Sequence, residues 1–239
     1  MIRVENVRKR FSGAMAVDGV SFSAADGRVT GLLGPNGAGK TTTLRLACGL
    51  MKPDAGTITV DGADVAADPR LAQGRLGVLP DASGLYGRLT AREHIRYFGA
   101  LRGLRGAELE RRVEHWIGAL GLAPVADRRV AGFSHGERTK VGLARALVHD
   151  PRNVLLDEPT NGLDVASTRA VREVVRGLRR EGRCVVFSSH VMQEVSALCD
   201  RIVVIAAGRV VADGTPEELL AATGMTSLED AFMALVGLQ

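Results

Sequence analysis

Aromatic residues, cysteines and long apolar runs are all scarce in this sequence. Of its 239 residues, 4% are aromatic and three are cysteines, at positions 48, 184 and 199. The spacing of the cysteines matches neither a metal site nor a redox pair, so we expect reduced structural thiols in a cytosolic protein. No apolar run approaches the ~20 residues that span a bilayer, and the first residues lack the apolar segment of a signal peptide. We therefore expect a chain that does not itself form a path through a membrane.

Lysine is scarce as well, with four among the 31 basic residues. The net charge of +4 raises the question of a nucleic-acid partner, but the arginines are scattered among acidic residues and form no long basic run. This pattern is typical of a solvated surface, with contact to a membrane protein or to anionic lipid as the alternative. We expect no specific nucleic-acid partner.

Apolar periodicity predicts an α/β fold. The predicted strands are 2–7, 17–23, 29–33, 57–60, 76–79, 154–156, 184–187, 202–205 and 210–212. The predicted helices are 40–50, 92–101, 108–120, 137–148, 165–180, 192–198, 217–222 and 228–235. The first strands alternate apolar and polar residues, as antiparallel strands do, whereas short apolar strands between helices indicate a parallel sheet covered on both faces.

A phosphate-binding loop is predicted where residues 34–42 read GPNGAGKTT. The run fits the pattern G-x-x-x-x-G-K-[ST] between a predicted strand and a predicted helix, a context that disfavours an incidental glycine turn. Glycines let several backbone N–H groups point at one anion, and the helix N-terminus adds a favourable dipole. Lys40 would place its charge on the outer phosphates, and the Thr41 hydroxyl would bind Mg²⁺. The predicted ATP-binding residues here are Gly34, Pro35, Asn36, Gly37, Ala38, Gly39, Lys40, Thr41 and Thr42.

Two adjacent carboxylates end the buried strand in VLLDEPT, residues 154–160. Asp157 is predicted to hold Mg²⁺, and Glu158 to orient and polarise the attacking water as general base. An Asp-Glu pair alone often begins a solvated turn. Behind an apolar strand and downstream of a phosphate loop, the catalytic interpretation is favoured.

Residues 133–140, FSHGERTK, resemble the signature motif of the ATP-binding cassette (ABC) family, usually written LSGGQ. Ser134 and Gly136 fit that motif, whereas Phe133, His135 and Glu137 replace the usual Leu, Gly and Gln. The resemblance implies that the loop contacts the γ-phosphate of ATP held by a second subunit, through Ser134, His135, Gly136 and Glu137. A helix N-cap with a capping box is the structural alternative, and the two interpretations are compatible because a helix N-terminus facing phosphate serves both.

Other family positions follow in order. Phe11 resembles the aromatic residue that stacks on adenine, with Val17 nearby, although an isolated Phe is more often a core residue. His190 matches the switch histidine, which contacts γ-phosphate and holds Glu158 and water; the implied catalytic set is Glu158, His190 and Lys40. The loop that crosses the dimer interface in the family corresponds to Asn161, Gly162, Leu163 and Asp164.

One position departs from the family pattern. Asp81 stands where the family has a glutamine that touches Mg²⁺ and senses the membrane permease. A carboxylate there adds negative charge beside the metal. Either Asp81 takes the metal or water contact or the coupling contact has moved, and our hypothesis is that Asp81 lies near the γ-phosphate and Mg²⁺.

The resemblance implies a RecA-like P-loop NTPase core with an N-terminal antiparallel β subdomain and an inserted α-helical subdomain. The expected domains are an ABC ATPase domain at 1–220, with the helical subdomain at about 82–150, and a short helical tail at 221–239. The end of the tail, SLEDAF at residues 227–232, resembles the short ending of cassettes that serve bacterial exporters. The segments GLYGRLT at 84–90 and FSHGE at 133–137 most resemble sodium-extrusion (Nat-type) cassettes.

The expected protein is therefore an ATPase that uses ATP and Mg²⁺ and closes head to tail as a homodimer or as a heterodimer with another cassette. It would power a separate integral membrane permease, bound from the cytoplasmic face, as an exporter. A soluble cassette acting on nucleic acid or ribosomes is the alternative; the paired cassettes, long insertions and zinc sites common in that class do not occur here. A small-molecule kinase is disfavoured by Glu158, the signature and His190.

Overall fold

The computed structural model describes residues 1–81 and 84–237. Its strands are β1 (Ile2–Phe11), β2 (Ala14–Ala24), β3 (Val29–Leu33), β4 (Ala55–Val60), β5 (Ala63–Asp64), β6 (Leu76–Leu79), β7 (Asn153–Asp157), β8 (Cys184–Ser189), β9 (Arg201–Ala206) and β10 (Arg209–Gly214). Its helices are α1 (Lys40–Ala47), α2 (Pro69–Gly74), α3 (Ala91–Leu101), α4 (Gly106–Ala119), α5 (His135–Leu147), α6 (Val165–Arg180), α7 (Met192–Leu198), α8 (Pro216–Thr223) and α9 (Leu228–Val236).

Four strands near the N-terminus form an antiparallel sheet in the order β2-β1-β4-β5. Ile2 and Val4 are buried and alternate with exposed Arg3 and Glu5, so one face of β1 packs inward and the other meets water. β1 and β2 are longer than predicted, because they stay paired up to a tight turn at Ser12 and Gly13, both of which have positive φ.

A second sheet of six strands has the order β10-β9-β3-β8-β7-β6, and all its pairs are parallel except β10 with β9. Every residue of β3, β7 and β8 is buried, since both faces of this sheet are covered. Leu32 joins the core shared with the antiparallel sheet and α1, and its neighbour Leu33 joins the core shared with the helices. The predicted α/β fold with a buried parallel sheet is confirmed.

Helices α3, α4 and α5 lie in the chain between β6 and β7. Thr90 begins α3 with a capping box to Glu93, which satisfies two N–H groups at the helix start. The predictions missed β5 and α2, which are two and six residues long, too short to show a period. α1 ends earlier than predicted because Gly49 adopts a left-handed conformation, with φ of 69°, just after it.

The expected helical subdomain at about 82–150 and the tail at 221–239 stay predictions; residues 82, 83, 238 and 239 lie outside the described residues. The expected boundary after residue 220 falls inside α8 (Pro216–Thr223). In the two described ranges, no single helix is long and apolar enough to cross a membrane, although α8 and α9, bent by 62°, together have the necessary length and composition.

Candidate functional site

The predicted phosphate loop runs from the end of β3 to the start of α1 and packs tightly against two other strands. A Cβ atom at Gly34 would lie 2.2 Å from the Ile205 carbonyl oxygen. At Gly39, where φ is 106°, it would lie 2.5 Å from the Ala16 oxygen. Both positions therefore require glycine, and the loop is held in a fixed shape at the helix N-terminus, where an anion is favoured.

Lys40 begins α1 and is buried by the loop that precedes it. Its Nζ donates to the Gly34 carbonyl oxygen at 2.6 Å and to that of Pro35 at 3.3 Å. The same atom lies 3.4 Å from Oε1 of Glu158. The ammonium group thus stands between the phosphate loop and the predicted general base, which is where a point charge can meet the outer phosphates.

Asp157 ends β7 as a buried carboxylate that accepts two hydroxyl hydrogen bonds on one oxygen. Its Oδ1 accepts from Thr41 Oγ1 at 3.1 Å and from Ser188 Oγ at 2.6 Å. Burial raises the pKa of Asp157, and the negative charges of Asp81 and Glu158 raise it further, while the two hydroxyl groups partly offset this. A cation beside Asp157 would relieve this unfavourable burial of charge.

The donor set fits magnesium bound together with a nucleotide. Mg²⁺ usually takes one or two protein ligands and completes its shell with phosphate oxygens and water. Thr41 and Asp157 supply such a pair. Thr41 and Asp81 both line the cavity in front of the phosphate loop, whereas Asp157 lies behind Thr41 and outside that lining. Over residues 1–81 and 84–237, no cluster of three or more His, Cys, Asp or Glu side chains is arranged to hold a metal by protein ligands alone.

Glu158 is held in an unusual backbone conformation. Its φ is 49°, in the left-handed region that non-glycine residues seldom adopt. Its N–H donates to Ser188 Oγ at 2.9 Å, and its Oε2 is 2.9 Å from His190 Nδ1. Strained residues of this kind persist where the surroundings hold them. Here Ser188 holds the Glu158 backbone, and Lys40 and His190 hold its carboxylate at the cavity.

The cavity in front of these groups has a volume of about 460 Å³. Its lining residues are Ala16, Pro35, Asn36, Gly37, Ala38, Gly39, Lys40, Thr41, Thr42, Asp81, Glu158, Asn161 and His190. Most of the predicted phosphate-binding residues therefore line the same cavity as the predicted catalytic residues.

Of the two residues predicted near adenine, Val17 is fully buried in the core, and Ala16 lines the cavity instead. Phe11 is 43% exposed and lies outside the lining, with Lys9 Nζ 5.8 Å from its ring centre.

The signature segment begins α5, as the capping alternative predicted. Ser134 Oγ accepts from the Glu137 N–H at 3.2 Å, and Glu137 Oε2 accepts from the Ser134 N–H at 2.7 Å. The capping box is confirmed. At the next position, His135 Nε2 is 2.9 Å from the Asn161 carbonyl oxygen, and Gly136 is buried against α6, where a Cβ would meet Ser167 Oγ at 2.8 Å.

The loop predicted to cross a dimer interface follows Glu158 directly. Asn161 lines the cavity, and its N–H donates a hydrogen bond to the Glu158 carbonyl oxygen at 3.1 Å. Gly162 has φ of 67°, and Leu163 is partly buried against the core. Asp164 caps α6 by accepting from the Ser167 N–H at 2.7 Å.

Sequence reasoning missed the role of Ser188, which binds both Asp157 and the backbone of Glu158. A signal was present, since two serines end the apolar strand β8 directly before His190, and hydroxyl groups at the end of a buried strand need partners. Ala16 was missed because an alanine carries no chemical signal.

Comparisons with known proteins agree with this geometry. A family model described as ABC transporter matches residues 17–161. The chain is 44% identical over 239 residues to the ABC transporter ATP-binding protein NatA of Bacillus subtilis, covering 98% of this chain and 97% of that protein. It is 40% identical over 220 residues to the Nod factor export ATP-binding protein I of Paraburkholderia xenovorans, covering 92% and 72%.

Solved structures show the same fold. The ATP-binding subunit of an ABC transporter superposes with a TM-score of 0.92 at 30% identity, covering 98% of this chain and 99% of that one. A dimeric bacterial ABC transporter cassette superposes with a TM-score of 0.84 at 25% identity, covering 90% and 98%. The expected fold class and the likeness to exporter cassettes are confirmed. Because the family model covers more than half of the chain and the relatives cover nearly all of it, the chain belongs to the ABC transporter ATP-binding family and is a nucleotide-binding ATPase.

Proposed function

We propose that this ATPase hydrolyses Mg-ATP in the cavity bounded by the phosphate loop, as one half of a dimer that powers a separate membrane permease. The observation that carries the proposal is the contact of Glu158 with both Lys40 and His190 at the mouth of that loop. A carboxylate held between a fixed cation and an imidazole is suited to orient an attacking water beside phosphates.

Each residue has a separate part in this proposal. The phosphate loop binds the phosphate oxygens through its backbone N–H groups, and Lys40 balances their charge. Glu158 accepts a hydrogen bond from the attacking water, and His190 holds the Glu158 carboxylate in the orientation that meets this water. Thr41 and Asp157 would hold Mg²⁺, which when bound neutralises charge on the phosphates. Positioning and charge carry this reaction, since phosphoryl transfer needs little covalent help from the protein.

The position of the signature segment supports the proposed dimer. Within the described ranges, none of Ser134, His135, Gly136 and Glu137 lines the chain's own 460 Å³ cavity. A second subunit would supply this helix N-terminus to the open side of the ATP, and a similar cassette was solved as a dimer.

Replacing Glu158 by glutamine tests the dimer. The Glu158→Gln protein should bind ATP without hydrolysing it and should therefore accumulate as a dimer at saturating Mg-ATP. Light scattering behind size-exclusion chromatography measures the mass with ATP and with ADP. A Glu158→Gln protein that stays monomeric with ATP would contradict the proposal.

Asp81 is proposed to act at the metal side of the same cavity. It lines the cavity with Thr41, and its charge raises the pKa of buried Asp157. Removing that charge in Asp81→Ala should change both the ATPase rate and its dependence on Mg²⁺ concentration. Asp68→Ala is the control, because Asp68 caps α2 and does not line the cavity. An Asp81→Ala protein with the same rate and the same Mg²⁺ titration as wild type would count against this role.

A permease-docking surface is proposed at the junction of α1, α2 and α3. Hydrogen bonds join the ends of these helices: Arg102 Nη1 donates to the Gln73 carbonyl oxygen at 2.9 Å, and Gln73 Nε2 donates to that of Cys48 at 3.1 Å. Large apolar side chains on or beside these helices are exposed. They are Leu50, Leu71, Tyr86, Tyr97 and Leu101, each 46–65% exposed. Exposed apolar side chains on adjoining helices are typical of a protein-binding surface.

Charge introduced at this surface should separate coupling from catalysis. Leu101→Glu should weaken co-purification with the permease and abolish its stimulation of ATPase activity, while the basal ATPase activity stays unchanged. Val211→Glu is a matched control, since Val211 is also exposed but lies on β10, at the opposite edge of the six-stranded sheet from β6. Equal effects of the two substitutions would argue against the surface.

Export is the proposed direction, and sodium is the proposed cargo. The direction is supported by the named exporter relative, and the cargo by the likeness of the GLYGRLT and FSHGE variants to sodium-extrusion cassettes. In this proposal the ATPase sits on the cytoplasmic face of the membrane through its permease. Inverted vesicles containing both proteins should accumulate ²²Na⁺ when ATP is added, and ATPase-driven uptake of other compounds without Na⁺ would contradict the cargo.

A further inference from the structure

His135 makes a contact within its own subunit that the usual glycine at this signature position cannot make. Its Nε2 lies 2.9 Å from the Asn161 carbonyl oxygen. Because a carbonyl oxygen only accepts, the imidazole donates, and Nε2 carries the proton. The ring also lies beside the next residue, since a Cβ at Gly162 would be 3.6 Å from His135 Cδ2.

The loop that receives this bond is tied to the backbone of Glu158. The Asn161 N–H donates to the Glu158 carbonyl oxygen at 3.1 Å, so a shift of Asn161 is passed to Glu158 within one turn. On the other side, His135 is the first residue of α5, and Ser134 and Glu137 fix that helix end through the capping box. One side-chain hydrogen bond therefore joins the signature segment to the turn that carries Glu158.

We infer that His135 is a positioning residue that couples the two ATP sites of the dimer. This inference rests on the proposed dimer, in which the signature segment meets the ATP of the partner subunit while Glu158 serves the chain's own ATP. A movement of the signature segment at one ATP then displaces Asn161 and Glu158 at the other, because His135 joins the two. The imidazole acts through the loop and takes no part in the chemistry.

Two substitutions of similar size separate the hydrogen bond from the space that the ring fills. His135→Gln keeps an N–H donor at a comparable reach, whereas His135→Leu fills the space without a donor. His135 is exposed, so neither substitution disturbs the core. ATP titrations of the purified protein give kcat, KM and the Hill coefficient.

In His135→Leu, kcat should fall about threefold to tenfold, the change that corresponds to losing one hydrogen bond. Its KM should stay within about twofold of wild type, and the Hill coefficient should fall from above 1 to 1. His135→Gln should restore both kcat and the Hill coefficient. A Leu variant that matches wild type, or a Gln variant as impaired as the Leu variant, would overturn the inference.

The dimer is checked separately in the Glu158→Gln background. A Glu158→Gln,His135→Leu protein should still dimerise with Mg-ATP, because the lost bond lies within one subunit and Ser134 and Gly136, which fit the signature motif, are unchanged. A Glu158→Gln protein that stays monomeric overturns the proposed dimer and this inference with it. If that protein dimerises and His135→Leu leaves the Hill coefficient and kcat unchanged, the coupling role alone is overturned.

Discussion

Replacing Ser188 by alanine should destabilise the protein by about 3 kcal/mol or more. Ser188 is fully buried, donates to the Asp157 carboxylate at 2.6 Å and accepts from the Glu158 N–H at 2.9 Å. A hydrogen bond to a charged group contributes about 1.5–3 kcal/mol. Leaving the half-buried Glu158 N–H unpaired adds the lower end of the about 1–3 kcal/mol that a buried unpaired group costs. Native proteins are stable by only about 5–15 kcal/mol, so this loss is large.

Thr30→Val is the matched control, and the expected change has the opposite sign. Thr30 lies on β3, pairs with Val186 of β8, and is 1% exposed. Within the described ranges its Oγ1 has no hydrogen-bond partner, so the substitution removes a hydroxyl whose burial costs about 1–3 kcal/mol. Valine keeps the branched shape, and the protein should become more stable.

Urea unfolding followed by circular dichroism measures both variants, with the midpoint compared at constant m-value. Ser188→Ala should also lower ATPase activity, because the backbone of Glu158 loses its anchor in a strained conformation. The reasoning would be refuted if Ser188→Ala shifted the free energy of unfolding by less than about 1 kcal/mol, or if Thr30→Val destabilised the protein more than Ser188→Ala did.

Two further predictions concern buried titratable groups. Burial, assisted in His94 by the Arg145 charge, lowers the pKa values of His94 and His149 to about 4. The neutral rings stabilise the fold fully above pH ~6.5, the pKa of an unfolded histidine. As pH falls from ~6.5 toward 4, the free energy of unfolding decreases by up to about 1.4 kcal/mol per pH unit for each histidine. Urea midpoints that stay constant between pH 6.5 and 5 would contradict this. Burial also raises the pKa of all three thiols, that of Cys184 to about 11. Since the thiolate is the reactive form, a maleimide reagent at pH 7 should label no cysteine in the native protein and three in denaturant, and rapid native labelling would be the contrary result.

Features that depend on neighbouring residues could be predicted from the sequence. The phosphate loop is one short turn whose glycines and Lys40 lie within 34–40, so its pattern can be recognised from contiguous residues. The capping box of Ser134 and Glu137 is equally local, spanning three residues. Strands β3 and β6 and helices α6 and α7 were predicted with the observed bounds, because apolar runs and helical periods are local patterns.

The catalytic arrangement could be predicted in part. Lys40, Glu158 and His190 were assigned by motif order, and the structure brings them into contact. Thr41 and Asp157 were predicted to hold one Mg²⁺, but their hydrogen bond across 116 residues of sequence was not predicted. Neither was the bond of Ser188 to Asp157 across 31 residues. No periodicity specifies which hydroxyl will meet a given carboxylate, because that depends on the order of β3, β8 and β7 in the sheet.

The sequence by itself thus determined the family, the phosphate loop and the assignment of Asp157, Glu158 and His190, since each is recognised from a short motif of consecutive residues. Only the tertiary structure decided that Val17 is core while Ala16 faces the cavity, since neighbouring residues on a strand point to opposite faces and the register selects between them. It alone also placed His135 against Asn161. That contact depends on how α5 packs beside the turn after β7, and such packing is a property of the whole fold.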